Sequence, residues 1–286
     1  MSSYKTFAIA GAGTVGKYIL QNLVKAKEEG KIDSVVVFTR SAEGNPEANA
    51  LGVKSVQVDY TSVPALTTAL KGVDVLISAL GPFGLGLQGD IATAAKEAGV
   101  KLFVPAEYGA PAIDMGGIKS TLRRKFESLG LPFTIFFVGV FMHSFFSPAL
   151  SVDLPGGKVT VGGKAHNPIT WTTVKDIGAY IAHCLTTLPP AKLEGATILI
   201  EGDRAGIKEV IAEYEKRTGK KVEITYRTLE GLKASAAANP FDFPSLLWLT
   251  VEDNQGVIGA PDEVNLYKFP GWEPTKAIDF ILGESA

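Results

Sequence analysis

The sequence predicts an α/β protein, a doubly wound parallel sheet with a smaller C-terminal α+β lobe. Three observations predict it. Apolar runs of strand length recur with helix-patterned segments between them. The runs are rich in Val, Ile and Phe without strict alternation, as strands covered by helices on both faces are. The first run ends in a glycine-rich turn that opens a helix.

The first strand, Thr6 to Ala10, leads into Gly11-Ala12-Gly13-Thr14-Val15-Gly16 and a helix beginning near Thr14. Val15, Ile19, Leu23 and Val24 give that helix one apolar stripe. Ser34 to Phe38 and Ser55 to Val58 are the second and third strands, and Val73 to Ala79 is the fourth. Ile91, Ala94, Ala95 and Ala98 mark the next helix, which Gly99 ends. Two more strands follow at Lys101 to Val104 and Phe133 to Val138. After about Phe145 the rhythm changes. Short strands are expected around Gly157 to Gly163, then a helix from Val174 to Leu188 stopped by Pro189 and Pro190, and a strand from Ala196 to Ile200. A helix near Ile207 to Thr218, a strand near Lys221 to Arg227, and helical stretches at Leu229 to Ala238 and Phe243 to Asn254 complete the pattern. The expected division is 1–148 for the sheet domain and 149–286 for the smaller lobe, with the helix and strand of 171–202 open to either.

Composition narrows the class. With 286 residues, 46% of them hydrophobic and 20% charged, the chain is an ordinary globular protein with ample length for a core. Its 28 basic and 30 acidic side chains give a formal charge of −2 and no like-charge block, so no footprint for nucleic acid or an anionic membrane is expected. Cys184 is the single cysteine, which excludes an intrachain disulfide; at helical spacing from Ile177, Ile181 and Leu185 it reads as a buried, inert thiol. The N-terminus lacks a secretory pattern, and Phe133 to Phe146 is too short for a membrane span and broken by Gly139 and His143. A cytoplasmic protein is expected.

The first strand-turn-helix unit is a Rossmann-type nucleotide fingerprint. Gly11 permits the tight turn, Gly13 lets backbone approach a pyrophosphate, Gly16 lets helix and strand pack closely, and Thr14 and Val15 lie where the helix offers its N–H groups. At the end of the second strand, where a carboxylate would bind the ribose hydroxyls of NAD, stands Arg40. A guanidinium suits a 2′-phosphate, so NADPH is the expected cofactor. Ala79, Leu80, Gly81 and Phe83, where the fourth strand gives way to a glycine-rich loop, are further cofactor candidates at a carboxyl end of the sheet. None of the 8 tyrosines has a lysine four residues on, so the Tyr-Lys chemistry of ordinary short-chain dehydrogenases is not expected. His143, His166 and His183 show no zinc-ligand spacing, and no metal is expected.

Val104-Pro105-Ala106-Glu107-Tyr108-Gly109 resembles the Pro-Ser-Glu-Phe-Gly signature of the NmrA-like and isoflavone-reductase-like family of atypical short-chain dehydrogenases. The resemblance extends over Gln88, Lys96 to Lys101, Lys119 to Glu127, Gly130 to Thr134 and Trp171 to Gly178. Ala106 and Tyr108 depart from the signature, and the glycine turn is GxGxxG where the family commonly has GxxGxxG. The resemblance implies an NADPH-dependent reductase in which Lys119, beside the nicotinamide, acts as general acid or base toward a carbonyl or quinone-methide-like centre. For that role burial or a nearby cation is needed to bring its titration toward neutrality. Glu107 is expected to anchor its loop.

Phe141, His143, Phe146 and Trp248 are the substrate-pocket candidates, and they suit a small aromatic molecule. A homodimer is compatible with the sequence. The competing class, also implied by the resemblance, is a non-catalytic NADP(H)-binding regulator or redox sensor.

Overall fold

The computed structural model describes residues 2–239 and 241–284. In chain order come β1 (Thr6–Ala10), α1 (Gly16–Glu28), β2 (Ser34–Thr39), α2 (Pro46–Ala50), β3 (Ser55–Gln57), α3 (Val63–Ala69) and β4 (Val75–Ser78). A 3-10 turn (Pro82–Leu87), α4 (Gln88–Ala98), β5 (Leu102–Val104), α5 (Ile118–Ser128) and β6 (Ile135–Phe137) follow. The remainder comprises β7 (Val140–Phe141), α6 (Met142–Phe145), β8 (Val152–Asp153), β9 (Lys158–Gly162), β10 (Ile169–Thr172), α7 (Val174–Thr187) and β11 (Thr197–Leu199). The last elements are β12 (Asp203–Ala205), α8 (Ile207–Thr218), β13 (Glu223–Arg227), α9 (Leu229–Ala238), α10 (Phe243–Glu252) and α11 (Ala277–Leu282). The first helix starts at Gly16, two residues later than the sequence pattern places it, because Thr14 and Val15 still belong to the turn. The stretch Phe141 to Phe146 contains the short α6.

Backbone contacts divide the chain into two compact units, 1–107 with 117–136 and 177–198, and 108–116 with 137–176 and 199–286. The first is a parallel sheet in the order β3-β2-β1-β4-β5. Strand order reverses between β1 and β4, and in such sheets ligands lie beyond the carboxyl ends of the strands at that reversal. Ala8, Ile9, Val37, Val75 and Ile77 are buried to within 0% exposure, which explains the near-continuous apolar strands. Local chemistry sets the helix limits. Asn45 and Ser62 cap α2 and α3 with their side chains, and Gly99 ends α4 in the left-handed conformation.

At the amino edge of this sheet the Asp74 carboxylate accepts the backbone N–H of Lys5 at 2.7 Å and of Thr6 at 3.1 Å, and pairs with Lys101 at 2.8 Å. Late residues belong here as well. Gly178 of α7 lies so close to Tyr18 and the backbone of Ile19 that a Cβ there would meet them at 2.5–2.8 Å. Thr134 donates to the Leu193 carbonyl at 2.6 Å, Ile135 N–H to Ala196 at 2.9 Å, and the Tyr4 hydroxyl to Glu194 at 3.0 Å. Cys184 is buried on α7, and burial pushes its thiol up.

The second unit holds two small sheets, β12-β10-β7 and β13-β9-β8. Trp171 on β10 is fully buried, and its ring lies 4.8 Å from Phe145 and 5.0 Å from Phe146 between centroids. Its indole N–H donates to the Ala205 carbonyl at 2.9 Å, satisfying the polar end of a buried aromatic. Nearby, Arg204 donates to both oxygens of Glu201 at 3.0 Å and to the Gly259 carbonyl at 2.6 Å. No helix among the described residues is long and apolar enough to cross a membrane.

Candidate active site

The glycine turn follows from three different demands on one short segment. Gly11 has φ +88°, and a Cβ there would press on the Ala79 carbonyl oxygen at 3.2 Å. A Cβ on Gly16 would collide with the carbonyl oxygen of Gly11 and lie 2.9 Å from Ala79 Cβ, so α1 can seat against β1 and β4 only with glycine here. At Gly13 nothing lies within 4 Å of where a Cβ would be, and Gly13 and Thr14 are exposed while Val15 is buried. The space in front of Gly13 is open, and no side chain caps the first turn of α1. Together these features fit the diphosphate of a dinucleotide, whose charge complements the helix N-terminus and which needs a close backbone approach.

Arg40 stands exposed immediately beyond β2. With Gln57 at the end of β3 and Val58 and Asp59 beyond it, Arg40 lines a cavity of about 440 Å³, and the Gln57 side-chain amide donates to the Arg40 carbonyl at 3.3 Å. Tyr60, buried, donates its hydroxyl to the Phe38 carbonyl at 2.8 Å and so ties the β3 edge to the end of β2. The Asp59 carboxyl is held below its ordinary value by the hydroxyl and N–H of Thr61, both on Oδ1. Gln57 and Asp59 were missed by sequence reading, since only the pairing of β3 with β2 brings them to Arg40.

Beyond β4, Ala79 and Leu80 are half-buried, Gly81 is exposed, and Phe83 is fully exposed on the 3-10 turn. Leu80 packs under the turn, with its Cβ at 3.0 Å from where a Gly84 side chain would begin.

Beyond β5, the segment Pro105-Ala106-Glu107 is buried. Gln88, at the start of α4, fixes it by accepting the Ala106 N–H at 2.7 Å. Glu107, 2% exposed, takes Arg123 Nη1 at 3.2 Å on Oε1 and Lys119 Nζ at 3.4 Å on Oε2. Lys119 and Arg123 are one turn apart on α5, so both reach the same carboxylate. Lys119 itself is 9% exposed. The proton-transfer role asks for burial or a nearby cation; the structure gives Lys119 burial and a carboxylate that it shares with Arg123. Glu107 therefore does more than hold a loop, since its charge sets where the Lys119 ammonium sits.

The glycine turn, Arg40, the Ala79-to-Phe83 segment and Glu107 all follow the carboxyl ends of strands of one parallel sheet, and α5 brings Lys119 to Glu107. The four pocket candidates lie in the other unit. Phe141 and His143 stack with centroids 5.7 Å apart at 24°. Phe146 is half-buried against Trp171, and Trp248, 3% exposed, packs on Gly162 and against Phe145 as part of that unit's aromatic core.

A family model, the NmrA-like family, matches residues 3–252. An isoflavone reductase homolog of Solanum tuberosum is 30% identical over 243 residues, 78% of this chain and 77% of that protein. Phenylcoumaran benzylic ether reductase TP7 of Nicotiana tabacum is 27% identical over 85% of this chain and 84% of that one. In three dimensions the chain is similar to an NADPH-dependent quinone oxidoreductase from Escherichia coli solved with NADPH, with a TM-score of 0.76, 22% identity, and coverage of 98% of this chain and 99% of that one.

Proposed function

The chain belongs to the NmrA-like family, and from that premise we propose that it is an NADPH-dependent reductase of a small aromatic or conjugated carbonyl or quinone-methide-like substrate. The observation that carries the reading is the buried Glu107 carboxylate holding the Lys119 ammonium beyond β5, in the same sheet whose β1–α1 turn is shaped for a diphosphate. The relatives' printed activities support it. They are reductases of isoflavone and phenylcoumaran type, and the E. coli neighbour acts on quinones with NADPH.

Gly11, Gly13 and the first turn of α1 would hold the coenzyme's diphosphate, and Arg40 with the cavity beside it the adenosine 2′-phosphate. When bound, the reduced nicotinamide supplies the hydride. Lys119 Nζ carries the proton that complements it. As an ion-paired ammonium, Nζ donates toward the oxygen that gains charge as the substrate is reduced, and Glu107 stabilises the ammonium before transfer and fixes its position. Arg123 holds the other carboxylate oxygen, so that Glu107 cannot swing away with the lysine. Glu107 and Lys119 are both buried, which limits the access of bulk water to the pair.

The test follows loss of reduced-nicotinamide absorbance with a panel of aromatic carbonyl and conjugated compounds. Wild type should turn over at least one, and Lys119→Ala should lower kcat by about 100-fold or more, the usual contribution of a positioned general acid. An equally active variant removes the lysine from the mechanism. Binding of NADPH with no turnover by wild type makes the chain a dinucleotide-binding regulator. Because the Asp59 charge faces the same cavity as Arg40, Arg40→Ala is the deciding variant for coenzyme choice. It should weaken NADPH about tenfold to a hundredfold, the worth of a charge-assisted contact, and leave NADH nearly unchanged.

A further inference from the structure

A second cavity, of about 460 Å³, is lined wholly by residues of the second unit, none of them assigned above to coenzyme or proton transfer. Its wall carries Lys164, His166, Lys208 and Arg227 together with Tyr226 and Leu229. The β9–β13 pairing builds it. Parallel register sets Val161 beside Tyr226 and Gly162 beside Arg227, so the segment that leaves β9 and the one that leaves β13 emerge side by side. Gly163 N–H donates to the Arg227 carbonyl at 3.0 Å and locks the two exits together. Lys208, in the first turn of α8, places its ammonium 5.3 Å from the centroid of the Tyr226 ring.

Two properties of this wall point to a ligand. The first is charge. Four cationic or titratable basic side chains line it with no carboxylate among them, and two of the nearby carboxylates, Glu252 and Glu209, are turned onto backbone. Glu252 accepts the N–H of Lys164 at 2.6 Å and of Ala165 at 2.9 Å, and Glu209 accepts that of Gly206 at 2.8 Å. Arg227 is aimed by a bond to Ser235 Oγ at 2.9 Å. The second is apolar exposure. Tyr226 and Leu229, 52% and 40% exposed, are among the few large hydrophobic side chains left open on the described residues, and both belong to this one cavity. A ring that stays in water next to several cations matches a molecule with a flat apolar body and an anionic substituent. The volume falls within the range of small-ligand sites.

We propose that this cavity is a second binding site, for a small aromatic carboxylate, with the carboxylate among Lys164, Lys208 and Arg227 and the ring against Tyr226 and Leu229.

The experiment is calorimetric titration of NADPH-saturated protein with 1-naphthoate, and with 1-naphthalenemethanol as its uncharged counterpart. Wild type should bind one equivalent of naphthoate, with the alcohol weaker by about tenfold, the effect of losing a charged contact. Lys208→Glu and Lys164→Ala should each weaken naphthoate several-fold while NADPH affinity and thermal unfolding stay as in wild type. Tyr226→Ala should weaken both compounds. The proposal is overturned if naphthoate fails to saturate, if NADPH displaces it, if the alcohol binds as well as the acid, or if Lys208→Glu binds naphthoate like wild type. Inorganic phosphate binding as tightly as naphthoate also overturns it, because the ring would then contribute nothing.

Discussion

Replacing Gly16 by alanine adds a Cβ that collides with the Gly11 carbonyl oxygen and comes within 2.9 Å of Ala79 Cβ. Both obstacles are fixed to strands, one of them backbone, so no rotamer change relieves them. Overpacking of this kind costs about 1–3 kcal/mol. Alanine regains about 1 kcal/mol of helix propensity over glycine, which leaves a net loss of up to about 2 kcal/mol, or up to about 8 °C in Tm for a chain of this size. The same substitution at Gly13 meets nothing within 4 Å, and Gly13 has no left-handed φ. Its stability should hold or rise by about 0.4–1 kcal/mol, because alanine narrows the unfolded ensemble. What Gly13→Ala loses is room for the diphosphate, so its NADPH affinity should fall by about tenfold or more. Thermal unfolding of coenzyme-free protein and calorimetric titration with NADPH separate the two effects. A Gly13→Ala protein that melts as early as Gly16→Ala, or that binds NADPH like wild type, refutes the division of labour between these glycines.

Glu107→Gln keeps an acceptor but leaves Lys119 and Arg123 without their shared charge; with Arg123 a quarter exposed the loss should be about 1–3 kcal/mol, kcat should drop, and the pH–rate profile should move, so a variant with the wild-type profile counts against its positioning role. Asp74 titrates below its ordinary 3.8: burial acts to raise it, but the bonds from Lys101, Lys5 and Thr6 outweigh that. Its folded value is the depressed one, so its stabilisation is present above the unfolded value and disappears as acid carries the protein down through the folded value. Urea midpoints should show Asp74→Asn well below wild type at neutral pH, with the gap closing below about pH 4; a gap independent of pH excludes the charge as its source. Cys184 should resist a thiol-specific reagent in folded protein and react at once in urea, and rapid labelling of the native state would contradict its burial.

Much of the first unit could be read directly because it is written locally. A buried strand needs only a run of Val, Ile and Phe, and a dinucleotide turn needs glycine at fixed offsets, so β1 to β6 and the Gly11-to-Gly16 segment fall close to where sequence places them. The strand reversal between β1 and β4 has no local signal, since it depends on which strands pair. Nor does the Glu107 contact: 12 residues separate it from Lys119, and the motif that contains it gave no hint that its carboxylate turns toward α5. Helical geometry sends Lys119 and Arg123 to one buried acid and leaves Arg124 exposed. In the second unit, Phe146 and Trp248 looked like pocket lining because aromatic residues in an ambiguous segment read that way; the structure packs Phe146 against Trp171 and Trp248 against Phe145 and Gly162.

The return of 177–198 to the first unit has a consequence for how the chain is made. Gly178 seated on Tyr18, and Leu193, Glu194 and Ala196 bonded to Thr134, Tyr4 and Ile135, join stretches that leave the ribosome far apart in time. Until α7 and β11 have emerged, Ile19 lacks a cover and the Ile135 edge lacks a neighbour, so a nascent chain stopped near position 148 holds an unfinished sheet with sticky surfaces. Completion waits for roughly two-thirds of the polypeptide. Such long-range closure makes for slow folding, and it places the aggregation-sensitive interval of biosynthesis between the fifth helix and the eleventh strand.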